Sequence, residues 1–288
     1  EIGSGLVGSE MCIRDRNIYK SLFLGLVCSA GMHCTFAQTT VWNPDNQNGT
    51  FTNPIMWGDW PDPDLIRVDD KFYLVSTSMH YVPGCPIAVS EDLVNWEMAG
   101  YALDRYDEDP KYDMQGGNLY LNGAWATTIR HHNGKFYVGF CTPYGWGRET
   151  GHFSICIADD VKGPWERTIF PEYLYDPGLF FDEDGKVYVV HGQGTLYLTE
   201  LNSDVKSVKG KPVKIWQGGF KNAHELGGGF GMEGSHMYRI NGKYYITCPA
   251  GGTGGWQICL RSDNIYGPYE HKLIICLLYT SPSPRDRS

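Results

Sequence analysis

Residues 57–77 read WGDWPDPDLIRVDDKFYLVST. A Pro-flanked aspartate, Asp62, leads into alternating apolar residues, a turn at Asp69-Asp70, and a second apolar run from Phe72 to Thr77. That is the pattern of a β-hairpin with one buried face. The phrase returns three times: AWATTIRHHNGKFYVGF from Ala124, YDPGLFFDEDGKVYVVHG from Tyr175, and MEGSHMYRINGKYYITCP from Met232. Aligned on the turn lysines Lys71, Lys135, Lys186 and Lys243, the residues nine or ten places earlier are Asp62, Trp125, Asp176 and Glu233. Three carboxylates and a tryptophan therefore fall at one repeating place.

Each hairpin is followed by a loop, a third short strand and a turn into a fourth. Pro86 to Ser90 then SEDLVNWE, and residues 153–158 then DDVKGPWER, are the clearest cases. Four short strands per unit, repeated about every 50–60 residues and punctuated by glycine, predict an all-β fold of β-propeller type. About four blades are present. In a propeller the innermost strand of each blade lines the axis, so residues at its start meet at the mouth. Asp62, Asp176 and Glu233 are expected to converge there. Aspartate before proline is also an ordinary turn residue, but three acids in register cost stability through like-charge repulsion and call for a use. Two carboxylates across a sugar-sized gap are the equipment of glycoside hydrolysis, one giving a proton to the leaving group and the other activating water or attacking carbon. A third can orient the acid and keep its pKa high.

The remainder sets limits. Residues 1–16 and 276–288 fit no repeat and resemble translated sequencing-adaptor read-through. Residues 17–37 carry Lys20, a short apolar stretch and Thr35-Phe36-Ala37 before Gln38, which predicts a signal peptide and a secreted or periplasmic protein. The apolar stretch is too short to span a bilayer, so no membrane insertion is expected after cleavage. Residues 38–275 then form the propeller. The net charge of −9 argues against nucleic acid as a partner. Of nine cysteines, Cys85, Cys141, Cys156, Cys248 and Cys259 fall in the propeller. With no CxxC spacing they read as free buried thiols, the alternative being neighbours on adjacent strands for Cys141/Cys156 and Cys248/Cys259. The histidines form no metal motif. No cofactor is required, and a central calcium is left open.

The phrases WPDPDLIRV, YDPGLFFDEDGKVYV and MEGSHMYRINGKYY, with MHYVPGCPIAVSEDLVNWE, resemble glycoside hydrolase family 43, in the branch of β-xylosidases and α-L-arabinofuranosidases. The resemblance spans roughly residues 52–272. It implies a five-bladed propeller that inverts the anomeric centre, with Asp62 as general base, Glu233 as general acid and Asp176 as the residue that orients Glu233 and tunes its pKa. It further implies that Met79, Trp125, Tyr175 and Thr253 line the pocket, and that the substrate is a xylose- or arabinose-containing oligosaccharide or polysaccharide. β-Xylosidase is favoured over arabinofuranosidase by the resemblance alone. Met79 stands where an aromatic is common, and Trp125-Ala126-Thr127 where Trp-Ala-Pro is. Trp60, Trp146 and Trp256 fall at strand starts or loops near the mouth, as sugar platforms or as rim packing. A fifth blade would begin about where the C-terminal tail starts, which predicts a truncated chain with exposed edges and poor solubility or activity. Two other readings remain: a retaining fructan-active propeller, whose Asn-Asp-Pro-Asn context is lacking here, and a non-catalytic sugar-binding propeller.

Overall fold

A computed structural model describes residues 42–145, 150–217, 231–250 and 256–276, the side chains of residues 256, 275 and 276 excepted. The signal-peptide segment, Trp146 and Thr253 lie outside the described residues, as does the side chain of Trp256.

Among the described residues, sixteen strands form four four-stranded antiparallel sheets, each a simple meander. Blade 1 holds β1 (Asp64–Val68), β2 (Lys71–Val75), β3 (Gly84–Ser90) and β4 (Glu97–Leu103). Blade 2 holds β5 (Trp125–His132), β6 (Lys135–Pro143), β7 (Gly151–Ala158) and β8 (Glu166–Phe170). Blade 3 holds β9 (Gly178–Phe181), β10 (Val187–His191), β11 (Thr195–Leu201) and β12 (Val213–Gln217). Blade 4 holds β13 (His236–Ile240), β14 (Lys243–Ala250), β15 (Trp256–Ser262) and β16 (Glu270–Cys276). The last strand takes in Cys276, the first residue of the tail that fits no repeat.

The innermost strands β1, β5, β9 and β13 are neighbours in that order, which is the radial arrangement of a propeller. The core lies between blades. Cys85, Ile87, Ile129, Val138 and Phe140 pack blade 1 on blade 2. Phe153, Ile155, Leu179 and Val189 pack blade 2 on blade 3. Val190, Leu198, Ile246 and Ile258 pack blade 3 on blade 4. Blades approach closely beside the strand starts. A Cβ on Gly123 would lie 1.8 Å from the Met79 carbonyl oxygen, and one on Gly178 would lie 2.0 Å from that of Ser235. No side chain fits at either place.

The inner hairpins close as their turn residues dictate. Val68 pairs with Lys71, His132 with Lys135 and Ile240 with Lys243, each across two residues. In blades 2 and 4 those two are Asn133-Gly134 and Asn241-Gly242, all at positive φ, the preferred chemistry for two-residue hairpins. Blade 3 differs. Asp182 N donates to Lys186 O at 2.9 Å, leaving three residues at the tip.

That one extra residue changes the alignment of the repeats. Counted from the structure, Asp62, Ala126, Asp176 and Gly234 are equivalent, and all four are left-handed, with φ of 45°, 46°, 50° and 58°. Trp125 and Glu233 sit one residue earlier and correspond to Pro61 and Tyr175. The backbone pairing agrees: Thr77 N donates to Pro61 O and Gly192 N to Tyr175 O, while Trp125 pairs with Cys141. The single repeating place read from the sequence is two adjacent places.

All five propeller cysteines are free thiols. Cys141 pairs across the sheet with Phe153, and Cys156 with Val138, so these two are apart. Cys248 and Cys259 are diagonal on adjacent strands. Burial pushes the thiols of Cys156 and Cys248 up to about 12, leaving both un-ionised at neutral pH.

Candidate active site

Asp62 belongs to a turn held at its carbonyl neighbour. Pro61 O accepts from Thr77 N at 3.0 Å and from Ser76 Oγ at 2.6 Å. The exposed Asp62 carboxylate accepts from Thr77 Oγ1 at 2.8 Å, and the same hydroxyl accepts from Ala126 N at 2.8 Å. A backbone N–H can only donate, so the hydroxyl proton is directed at Asp62. Thr77 thereby ties the blade 1 carboxylate to the start of blade 2.

Asp176 and Glu233 are linked at the junction of blades 3 and 4 through the main chain of the next residue, Gly234. The buried Asp176 accepts through Oδ2 from Gly234 N at 3.1 Å. Glu233 Oε2 accepts from Tyr175 OH at 3.1 Å and from Gln193 Nε2 at 2.7 Å. Gly192 N donates to Tyr175 O at 2.8 Å, and Gly194 N to Met232 O at 2.8 Å, so the segment carrying Gln193 is fixed to both blades.

The link between the two halves runs through blade 2. Cys141 Sγ lies 3.7 Å from Trp125 O. Its thiol is raised first by burial and then by the nearby Asp176 charge. Asp62, Asp176 and Glu233 each lie just before the inner strand of their blade, β1, β9 and β13.

Of the expected wall residues, Met79 and Trp125 are half-buried and Tyr175 is buried. Met79 is left-handed, φ 49°, and exchanges two 2.9 Å backbone hydrogen bonds with Ala124. Tyr106 OH donates to Met79 O at 2.8 Å, and Trp125 Nε1 donates to Leu121 O at 2.6 Å. Strained non-glycine backbone at Asp62, Met79, Ala126 and Asp176 is of the kind that clusters at functional sites.

Two residues past Asp62, the axis is crossed by a polar hub. Asp64 Oδ2 accepts from Thr128 Oγ1 at 2.9 Å, Ile129 N at 2.9 Å and Arg130 Nη1 at 2.6 Å, and lies 3.5 Å from His236 Nδ1. Burial pushes the Asp64 carboxyl up, but Arg130, His236 and these donors outweigh it, and its pKa is lowered. Burial lowers His236, against the pull of Asp64. The hub does not fit a divalent cation. Its carboxylate already carries a guanidinium, and Arg130 Nη2 and His236 Nδ1 are buried beside it without hydrogen-bond partners. Among the described residues no group of three or more His, Cys, Asp and Glu side chains could hold a metal ion.

The repeats did not reveal Thr77, Gln193 or the hub. Asp64 stands inside the PDPD motif, the one visible signal. Thr77 and Gln193 follow the second strands of blades 1 and 3 with no spacing to mark them.

Four radial sheets, three of them with a carboxylate just before the inner strand, define a β-propeller. The chain belongs to Glycosyl hydrolases family 43, which matches residues 51–283. It is 34% identical over 239 residues to a putative beta-xylosidase of Xylanibacter ruminicola, covering 80% of this chain and 41% of that protein. It is 37% identical over 226 residues to a non-reducing end alpha-L-arabinofuranosidase of Bacteroides ovatus, covering 77% and 40%. Among solved structures it resembles a bifunctional GH43-CE protein of Bacteroides eggerthii with a TM-score of 0.68 at 36% identity, covering 77% of this chain and 29% of that one. The xylan beta-1,4-xylosidase of Bacillus halodurans C-125 matches with a TM-score of 0.66 at 29% identity, covering 76% and 43%. The chain thus spans about two fifths of the length of the curated relatives it matches. No helix among the described residues is long and apolar enough to cross a membrane.

Proposed function

We propose that the protein is an inverting glycoside hydrolase that releases xylose or arabinose from plant cell-wall polysaccharides or oligosaccharides. Asp62 is the general base that activates water, Glu233 the general acid, and Asp176 the residue that positions Glu233. One observation carries this reading: two carboxylates at the same end of the propeller stand in different settings. Asp62 is exposed and held as an acceptor by Thr77, where water has access. Glu233 is half-buried between Tyr175 and Gln193, with Asp176 fastened to the next residue. Unequal environments are how two carboxyl groups acquire an acid role and a base role. Met79, Trp125 and Tyr175 form the wall around the sugar. The names of the relatives support a pentose substrate, and both xylosidase and arabinofuranosidase fall within the proposal.

The test uses the full-length protein with 4-nitrophenyl β-D-xylopyranoside and α-L-arabinofuranoside, following the first-formed anomer by proton NMR. Hydrolysis of either with inversion is expected. Retention, or no turnover of any pentoside, contradicts it. Export by way of residues 17–37 belongs to the same reading. A mature N-terminus at Gln38 agrees with it, and a protein that retains residues 17–37 does not.

A further inference from the structure

Blade 3 passes from its second strand to its third over three residues, Gly192 to Gly194, between His191 at the end of β10 and Thr195 at the start of β11. Blade 1 uses the longer loop 76–83 at the same place. So tight a connection needs glycine beside Gln193. Gly192 is at φ 115°, and a Cβ there would lie 2.3 Å from Thr195 O. The loop is tied on both sides, by Gly192 N to Tyr175 O and by Gly194 N to Met232 O, each at 2.8 Å. It also rests against the chain leading to Glu233. A Cβ on Gly231 would come within 3.1 Å of Gly194 Cα and 3.7 Å of Gln193 Cγ. The Gln193 side chain therefore starts from a fixed backbone, on a different blade from the carboxyl group it reaches.

Gln193 Nε2 donates to Glu233 Oε2 at 2.7 Å, and Tyr175 OH donates to the same oxygen at 3.1 Å. A carboxylate oxygen has two lone pairs, and an amide N–H can only donate. With both lone pairs of Oε2 taken up, a proton on Glu233 sits on Oε1. The same donors set the plane of the carboxyl group. Rotation about the last side-chain bond of glutamate is broad and nearly two-fold, so without them the two oxygens would exchange places.

The consequence is for proton transfer. The proton passes from Oε1 to the glycosidic oxygen as the bond from that oxygen to the sugar carbon breaks, and Asp62 takes a proton from the attacking water. Glu233 becomes a carboxylate, and the charge that develops is shared with Oε2. There the two hydrogen bonds become charge-assisted and strengthen. Interactions that grow toward the transition state raise kcat rather than lower KM.

We infer that Gln193 is a positioning residue for the general acid: it holds Glu233 Oε2 as an acceptor, so that the transferable proton is carried on Oε1. The inference rests on the assignment of Glu233 as the acid made above. It adds which oxygen gives the proton and which residue of blade 3 decides it.

The experiment compares full-length wild type with two variants. Gln193→Met keeps the length of the side chain and loses the donor. Gln193→Glu keeps the shape and puts a second carboxyl in place of the donor. Both kcat and KM are measured across pH for phenyl and 2,4-dinitrophenyl pentosides. Gln193→Met is expected to lose about tenfold in kcat on the phenyl glycoside, the cost of one hydrogen bond to a charged group, with KM little changed. The loss is expected to be much smaller on the dinitrophenyl glycoside, whose leaving group departs without a proton. Removing a donor from a carboxylate favours its protonated form. The basic limb of the kcat profile is therefore expected to move to higher pH in Gln193→Met, and further in Gln193→Glu. Equal losses on the two substrates, or a basic limb that stays in place, overturns the inference.

Protein labelled with ¹³C at the glutamate carboxyl groups reads the same contact without turnover. The resonance absent from Glu233→Gln is expected to titrate about one pH unit higher in Gln193→Met, the equivalent of the tenfold loss. An unchanged titration overturns the inference. Absence of all pentoside hydrolysis in wild type counts against the proposed reaction, while the carboxyl titration still decides whether Gln193 holds Glu233.

Discussion

Asp176 Oδ2 accepts a hydrogen bond from the backbone N–H of Gly234 at 3.1 Å. Gly234 follows Glu233 and is left-handed, φ 58°. Asp176 therefore acts on the proposed acid through the main chain that carries it. Asp176→Asn keeps an oxygen acceptor for Gly234 and removes the charge, whereas Asp176→Ala removes both. A hydrogen bond to a charged group contributes roughly 1.5–3 kcal/mol, so kcat is expected to fall about tenfold further in Ala than in Asn, with KM changing less. Steady-state kinetics on an aryl pentoside checks this. Equal kcat in the two variants would mean that the Gly234 anchor has no role in catalysis.

Thr77 makes a parallel prediction for the proposed base. Its hydroxyl donates to Asp62 and accepts from Ala126 N. Thr77→Ser keeps both bonds and Thr77→Val loses both at nearly the same volume. Thr77→Val is expected to lose about 10- to 100-fold in kcat, with Thr77→Ser close to wild type. Circular dichroism of each variant separates this from a loss of folded protein, because misorientation of the base lowers the rate per folded molecule. A Val variant with wild-type kcat would remove Thr77 from the mechanism.

The axial hub bears on stability. Asp64 and Arg130 are 3% and 13% exposed at their side chains and 2.6 Å apart. Breaking a buried pair by removing one partner strands the other charge, at a cost of roughly 3–5 kcal/mol. Asp64→Asn and Arg130→Met are each expected to lower unfolding stability by about that much in urea titrations. The double variant Asp64→Asn, Arg130→Met is expected to lose less than the two singles together. Additive losses would mean that the two residues do not act as a pair.

Two buried histidines set an acid limb. Burial lowers His191 to about 4, where it lies 2.9 Å from Thr199 Oγ1. Burial and then Arg167 lower His152 to about 4, against the pull of Glu108. Between pH 6.5 and 4 the unfolded chain holds protons on these residues that the fold does not. Stability therefore falls as pH drops through that window, by roughly 1.4 kcal/mol per pH unit for each histidine. His191→Gln is expected to flatten the slope of unfolding free energy against pH by about one proton. An unchanged slope would show that His191 is protonated in the folded state.

The propeller was legible because each blade spells its inner hairpin in the same way, with alternating apolar residues, a polar turn and a lysine. The acids at the strand starts were legible for the same reason. Their exact register was not. Blade 3 closes its hairpin over three residues where the others use two, and counting from Lys186 places Asp176 level with Glu233 when it is level with Gly234. A one-residue difference in a turn is invisible to hydrophobic alternation, which depends only on the strands. Thr77, Gln193 and Arg130 were missed for another reason. Each acts across a blade junction, on a partner between 40 and 66 residues away in sequence, and no local pattern records such contacts. The connection between blades 1 and 2 read as polar spacer, because the stacking of Tyr106 on Tyr112 and the tie of Glu108 to Arg167 exist only once blade 2 is folded beneath it.

The most direct test of the central claim, that Glu233 gives the proton and Asp62 activates the water, is the dependence of variant rates on the leaving group. Hydrolysis of phenyl and 2,4-dinitrophenyl pentosides is compared in Glu233→Gln and Asp62→Asn. Dinitrophenolate departs without a proton, so Glu233→Gln is expected to lose roughly 10²- to 10⁴-fold on the phenyl glycoside and far less on the dinitrophenyl one. Asp62→Asn is expected to slow both alike. Equal losses on the two substrates in Glu233→Gln, or full activity in Asp62→Asn, would contradict the assignment of acid and base.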